Sequence, residues 1–285
     1  MAVVQWFPGH MTKAMREIRQ QLALVDLVLE LADARMPLGS RNPELSSLCQ
    51  GKERILLLNK ADLADPEETK KWTAEFEKNG LPCISCDGRS QKQKERIKKL
   101  IDAAREKKEE KNRAKGILNR PLRICVVGIP NVGKSTFINS FSGQSAAKTG
   151  NRPGVTRGTQ WIKWTRSAEL MDTPGLLWPK IEDQETAKKL ALLGTIRSEL
   201  LDHEELALEL ISLLMQDYPG VLSERYSIEE EKDRDRILNA LSLSRGCLLK
   251  GGAADLARGA KLVVEDFRSG RLGRFTLERI SGEES

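Results

Sequence analysis

Residues 122–135 read Leu122-Arg123-Ile124-Cys125-Val126-Val127-Gly128-Ile129-Pro130-Asn131-Val132-Gly133-Lys134-Ser135, and this stretch decides the fold. Leu122 to Val127 is an apolar run with β-branched residues, the pattern of a buried strand. It breaks at Gly128, and a helical pattern starts near Lys134. The eight residues from Gly128 to Ser135 match G-x-x-x-x-G-K-S in the setting that pattern needs, between a strand and a helix. Glycine at 128 and 133 lets the backbone wrap closely around phosphate oxygens. The loop N–H groups and the helix N-terminus supply positive potential there. Lys134 has the reach for the β- and γ-phosphates of a nucleoside triphosphate, and the Ser135 hydroxyl can hold Mg²⁺. Asn131, Val132, Gly133 and Thr136 complete the expected phosphate site.

Downstream, Asp172-Thr173-Pro174-Gly175 follows an apolar strand expected at Glu169–Met171. Asp172 can bind Mg²⁺ through water, and the Gly175 N–H can sense a γ-phosphate. D-x-x-G is a weak pattern alone, but it lies 37 residues after Ser135, where a second phosphate-side loop belongs. Between the two stands Pro153-Gly154-Val155-Thr156 in a polar loop. Thr156 is the candidate for a mobile ligand that closes on Mg²⁺ and the γ-phosphate, with Thr159 in reserve.

Upstream, the apolar run Arg54–Leu58 ends on Asn59-Lys60-Ala61-Asp62. A carboxylate can accept hydrogen bonds from both the N1–H and the N2 amino group of guanine. Adenine presents a different edge and would leave it unpaired, so Asp62 selects guanine nucleotides, GTP and GDP. Asn59 can bond the base and tie this loop to the phosphate loop. The Lys60 stem can cover the base plane. Ser85-Cys86, at the end of a short strand from Cys83, fits a companion loop that offers a backbone N–H to the guanine O6. An ordinary loop serine explains Ser85 equally well.

The order of these motifs is unusual, because the base-reading loop precedes the phosphate loop. In Ras-like GTPases the phosphate loop comes first. One sheet can still form if the ancestral termini are joined and the chain is cut elsewhere. The cut then falls just after Asp172–Gly175, so whatever follows is attached directly to the segment that moves on hydrolysis. Further strands are expected at Leu24–Ala34 and Gln160–Thr165, and a helix at Pro66 capped by Asp65. Strands alternating with helices imply a parallel sheet covered on both faces. After Pro179 the pattern turns helical, as in Leu190, Leu193 and Ile196. The expected fold is therefore α/β, a circularly permuted P-loop GTPase parallel sheet with helices on both faces over residues 1–180, plus an all-α domain over 181–285.

Bulk properties exclude several classes. At 285 residues, with 39% hydrophobic and 31% charged residues, the chain can bury a core. No stretch has the length of apolar sequence that crosses a bilayer, and Met1 to His10 does not read as a signal peptide, so a cytoplasmic protein without a membrane partner is expected. Five scattered cysteines argue against a disulfide framework. Cys83-x-x-Cys86 alone is a weak metal signal, and strand cysteines are the simpler reading. The formal charge is +6, yet Arg89 to Lys115 alone carries twelve Lys/Arg against five Asp/Glu. That segment is either a solvated helix face or a surface for a polyanion such as RNA.

Taken with the permuted motifs, the opening Trp6-Phe7-Pro8-Gly9-His10-Met11, the Asp33-Ala34-Arg35-Met36-Pro37 segment and the C-terminal Leu249-Lys250-Gly251-Gly252 and Asp266-Phe267-Arg268-Ser269-Gly270 complete a recognisable set. Over nearly its whole length the chain resembles the circularly permuted bacterial GTPases typified by ribosome biogenesis GTPase A, or YlqF. The resemblance implies late assembly of the large ribosomal subunit, with GTP hydrolysis tied to ribosome binding and with rRNA and ribosomal proteins as partners. A monomer that does not bind DNA is expected. The other functional reading is a GTP-gated RNA- or ribosome-binding module whose hydrolysis is incidental. Leu176 stands where Ras-like proteins carry the glutamine that orients water, and the resemblance points to His10 in its place; a structural or rRNA-contacting His10 is the alternative. The resemblance also implies K⁺ held through Asn131, against a loop-stabilising role for that residue. Arg268, Arg271, Arg274 and Arg279, interleaved with Phe267 and Phe275, suit RNA contact, or else amphipathic helices packed on one another.

Overall fold

The computed structural model describes residues 20–87, 91–117, 120–143, 160–173, 183–196 and 202–280. Up to Asp172 the apolar runs become six strands: β1 (Leu27–Asp33), β2 (Glu53–Asn59), β3 (Cys83–Ser85), β4 (Leu122–Val127), β5 (Gln160–Thr165) and β6 (Ala168–Asp172). They form one sheet in the order β3-β2-β1-β4-β6-β5. All neighbours pair parallel except β5, which runs antiparallel to β6. The phosphate loop follows β4, and the base-reading loop follows β2, on the far side of β1.

β1 is shorter than the expected Leu24–Ala34. Leu24 is 46% exposed, and its N–H closes a turn onto Gln21 O at 2.9 Å. The strand starts only where both faces are covered, and all seven of its residues are buried. On one face Val28 lies in a cluster with Leu45, Cys125, Val127 and Met171. Further along that face Ala32, Leu56 and Leu58 pack against Trp72 and Phe76. Leu27, Leu29 and Leu31 on the opposite face are equally inaccessible, so helices cover both sides.

Four described helices belong to this unit: α1 (Pro43–Leu48), α2 (Pro66–Lys78), α3 (Gln91–Arg113) and α4 (Lys134–Ser142). α2 starts as its sequence demands. Pro66 occupies the first turn, and the Asp65 carboxylate accepts the Glu67 and Glu68 N–H groups at 2.9 and 3.2 Å. The basic segment is the long α3, which buries Ile97, Ile101 and Ala104. Its second half is pinned by ion pairs, Lys107 to Glu53 and Lys108 to Asp26. Its first turn holds no acid, and further along the helix Arg96, Lys98 and Lys99 are exposed.

The chain divides into two compact units, one running to Glu182 and resuming from Glu278, the other Asp183–Leu277. The end of the chain groups with the first unit through Glu278. Its carboxylate accepts the Leu38 and Gly39 N–H groups at 2.7 and 2.8 Å, and its carbonyl accepts the Trp72 indole N–H at 3.0 Å. The second unit is helical: α5 (Gln184–Leu192), α6 (His203–Asp217), α7 (Val221–Tyr226), α8 (Arg234–Ser244) and α9 (Leu256–Ser269). Four of these helices open on an aspartate cap: Asp183, Asp202, Asp233 and Asp255. No described helix is long and apolar enough to cross a membrane.

The C-terminal phenylalanines and Arg268 are taken up in packing, while Arg274 and Arg279 are exposed. Phe267 and Phe275 are buried and stack with centroids 6.2 Å apart, so neither offers a face to an unpaired base. Arg268 donates to Leu192 O and Ala191 O at 2.9 and 2.7 Å, closing the C-terminal end of α5. Arg271 pairs with the buried Asp266 at 2.8 Å. The close approach of α8 and α9 depends on Gly259, where an added Cβ would stand 1.9 Å from Ser242 Oγ and 2.9 Å from Ser242 Cβ. Gly259→Ala should therefore lower stability by about 1–3 kcal/mol despite the better helix propensity of alanine. A urea midpoint that does not fall would show that the two helices separate without penalty.

Candidate functional site

The site gathers at the C-terminal ends of β1, β2, β4 and β6, where loops of an open α/β sheet bind ligands. The phosphate loop crosses from β4 to α4 with two glycines in conformations or contacts that exclude side chains. Gly128 stands at φ +154°, and a Cβ there would lie 2.4 Å from Leu31 O. Gly133 stands at φ +95°, and a Cβ there would lie 2.4 Å from Asn59 Nδ2. Asn131 adopts φ +61°, a left-handed geometry that asparagine tolerates. Gly133 caps α4 without a side chain, so no side-chain oxygen competes for the first-turn N–H groups.

Lys134 lies folded under this loop. Its ammonium donates to Gly128 O at 3.0 Å and Ile129 O at 2.9 Å. Burial pulls its pKa down from 10.5 to about 8, against the opposing effect of Asp172. Ser135 Oγ donates to Asp172 Oδ2 at 3.3 Å. The pairing follows from register, because Val126, the penultimate residue of β4, lies beside Asp172, the last of β6. Thr173 locks that strand end by donating to Val126 O at 2.8 Å. A hydroxyl and a carboxylate side by side form the hard-oxygen donor set that suits Mg²⁺. Thr136 is exposed on the first turn of α4.

The base-reading loop is tied to the phosphate loop. Asn59 Nδ2 donates to Val132 O at 2.7 Å. Lys60 stands at φ +59°, the Ala61 N–H donates to Cys86 O at 3.1 Å, and Asp62 is half-buried beyond it. Cys86 is part of this frame: its thiol lies 3.8 Å from Asn59 Oδ1, as a donor would. Burial pushes the Cys86 and Cys83 thiols up to about 12, so at neutral pH neither is the thiolate that metal or redox chemistry uses. Ser85 ends β3 half-buried. The Cys86 N–H is committed to Leu58 O at 2.7 Å as an extension of the sheet, and the next N–H, that of Asp87, is held by Gln93 Oε1.

The structure therefore brings together Asn59, Lys60, Asp62, Cys86, Asn131, Val132, Gly133, Lys134, Ser135 and Asp172. His10, Thr156, Thr159 and Gly175 lie outside the described residues. Asp33 stands directly against Lys60 and is gripped by Arg35, and neither residue belongs to a nucleotide motif. An acid at the very end of a buried strand, followed two residues later by arginine, was the available signal.

Residues 123–242 match the family described as 50S ribosome-binding GTPase, and residues 47–182 match RsgA GTPase. The chain is 43% identical to ribosome biogenesis GTPase A of Bacillus cereus, across 97% of this chain and 94% of that protein. It is 34% identical to mitochondrial ribosome-associated GTPase 1 of Mus musculus, across 97% and 90%. Among solved structures, GNP-bound YlqF from T. maritima superposes with a TM-score of 0.66 at 28% identity, covering 94% of this chain and 98% of that one.

Proposed function

Because the chain belongs to the ribosome biogenesis GTPase A family and is a GTP-hydrolysing enzyme, we propose that it acts in late assembly of the large ribosomal subunit, with hydrolysis coupled to ribosome binding. The observation that carries this reading is the bond from Asn59 to Val132, which joins the base-reading loop to the phosphate loop in permuted chain order. Guanine lies against Asn59, Lys60 and Asp62, with the Ser85-Cys86 loop as its companion on the O6 side. The phosphates take the loop N–H groups and Lys134. Ser135 and Asp172 hold Mg²⁺, with Thr156 closing on it. Bound there, Mg²⁺ neutralises charge that develops on the phosphate oxygens.

Binding makes Lys134 exchange its two carbonyl partners for phosphate oxygens. Gly175 reports the γ-phosphate to the segment that leads into the helical unit. Leu176 cannot orient water, so His10 takes that role, since a neutral imidazole can accept the proton or hold the water. K⁺ at Asn131 supplies further positive charge. The protein works as a monomer in the cytoplasm, and residues 181–285 form its ribosome-contacting domain. Arg96, Lys98 and Lys99, exposed along the first half of α3, add a surface for the phosphate backbone of rRNA.

The test is GTP turnover in K⁺ and Mg²⁺ buffer with and without purified large ribosomal subunits. A slow basal rate should rise many-fold with subunits. A rate indifferent to mature and immature subunits alike would leave a GTP-gated binder instead.

A further inference from the structure

Asp33 ends β1 in parallel register with Asn59 at the end of β2. Its carboxylate is fully buried, and two cations close on it. Arg35 grips it with Nε on Oδ1 at 2.9 Å and Nη2 on Oδ2 at 2.8 Å, and the Arg35 backbone N–H adds a third bond at 3.1 Å. Lys60 Nζ lies 3.0 Å from Oδ2. The backbone is held as well. The Asp33 N–H donates to Ser40 Oγ at 2.8 Å, and the Ala34 N–H donates to Asn59 O at 2.8 Å.

Lys60 meanwhile adopts φ +59°, a conformation that a lysine keeps only when its surroundings over-determine it. A free lysine stem samples many rotamers, and stilling it on binding costs entropy. Here the ammonium is already parked, and the stem between it and the backbone is preset. We propose that Asp33 is a positioning residue for base recognition: it pins the Lys60 ammonium at the end of β1, so that the Lys60 stem lies ready over the guanine plane, while Arg35 fixes Asp33. This rests on the reading that Asn59–Asp62 bind guanine. The Asp33 carboxylate stays charged at neutral pH. Burial raises the Asp33 carboxyl, but Arg35 and Lys60 outweigh it and hold it well below the ordinary carboxylate range. Without that negative charge Arg35 and Lys60 would repel each other, and the Lys60 chain would swing free.

Affinity for N-methylanthraniloyl-GDP and for inorganic tripolyphosphate, a probe without a base, would be measured in the wild type, Asp33→Asn, Lys60→Met and the double variant. Asp33→Asn should weaken GDP binding by about 10- to 100-fold, as loss of a charged hydrogen-bond partner implies. Its tripolyphosphate affinity should be unchanged. In the Lys60→Met background Asp33→Asn should cost little more, because both changes break one interaction. Unchanged GDP affinity, an equal loss for both probes, or fully additive losses would each overturn the proposal. If Asp33→Asn does not fold, Lys60→Met decides alone: a loss of about tenfold supports the clamp, and full affinity overturns it. A wild type that binds guanine no better than adenine nucleotides would bring down the underlying reading first.

Discussion

Asp62→Asn should reverse the base preference of the site. A carboxylate offers only acceptors, which match the N1–H and N2 amino donors of guanine. Asparagine keeps one acceptor and replaces the other with an N–H donor. Facing guanine, that donor meets the amino group, and two donors are left opposed and unpaired. The affinity for GDP should fall on the order of 10³-fold or more. Xanthine carries a carbonyl where guanine carries the amino group, so it pairs with the asparagine side chain correctly. Xanthosine diphosphate should bind the variant within about tenfold of the wild-type affinity for GDP. Turnover of xanthosine triphosphate should approach the wild-type rate with GTP, because the phosphate end is untouched. The loop around Asp62 should survive, since it is held by main-chain bonds, Ala61 N–H to Cys86 O at 3.1 Å and Leu63 N–H to Lys60 O at 2.9 Å. Competition titrations of both proteins with guanosine and xanthosine diphosphates measure this directly. An unchanged preference for guanine would remove Asp62 from the site.

That prediction could be written from the sequence, whereas the clamp behind it could not. Asp62 belongs to a local pattern, four residues that end a strand. The phosphate loop is local as well, and its strand–turn–helix setting is visible in the periodicity of residues 122–142. The contact between Ser135 and Asp172 needed one step more, because it depends on β6 lying beside β4. That neighbour is visible only in the sheet order. Asp33 and Lys60 meet for a reason that no local pattern encodes. β1 and β2 run in parallel with Asp33 opposite Asn59, and the left-handed turn at Lys60 directs its ammonium back toward β1. Of the C-terminal arginines only Arg268 is drawn into packing, while Arg271, Arg274 and Arg279 stay exposed. Their spacing beside phenylalanine suited stacking on RNA, but Phe267 and Phe275 fill the core and Arg268 is used up on the carbonyls of α5. Side-chain type suggests a chemistry, and only packing decides which groups face a partner.

Lys134→Met should separate activity from stability more sharply than any other change. Its ammonium is the charge that the loop holds for the β- and γ-phosphates, and removing it should cost at least about 10³-fold in kcat/KM for GTP. The free protein should not lose stability. A fall from 10.5 to about 8 means that the buried charge opposes folding by about 3 kcal/mol at neutral pH. The two charge-assisted carbonyl bonds lost with it are worth about 1.5 kcal/mol each, which leaves the two proteins about equally stable at pH 7. Linkage gives the difference a pH signature. Below about pH 8 the lysine is protonated in the folded and unfolded chains alike, and the full penalty applies. Between about 8 and 10.5 the unfolded chain binds more protons than the folded one, so wild-type stability gains relative to the variant. Above 10.5 the penalty is gone, and the wild type, with its carbonyl bonds, should be the more stable. Denaturant unfolding of both proteins at pH 7 and at pH 10 measures the divergence. A Lys134→Met variant that is clearly less stable at pH 7 would mean that the ammonium serves first to hold the loop together, and that its readiness for phosphate is secondary.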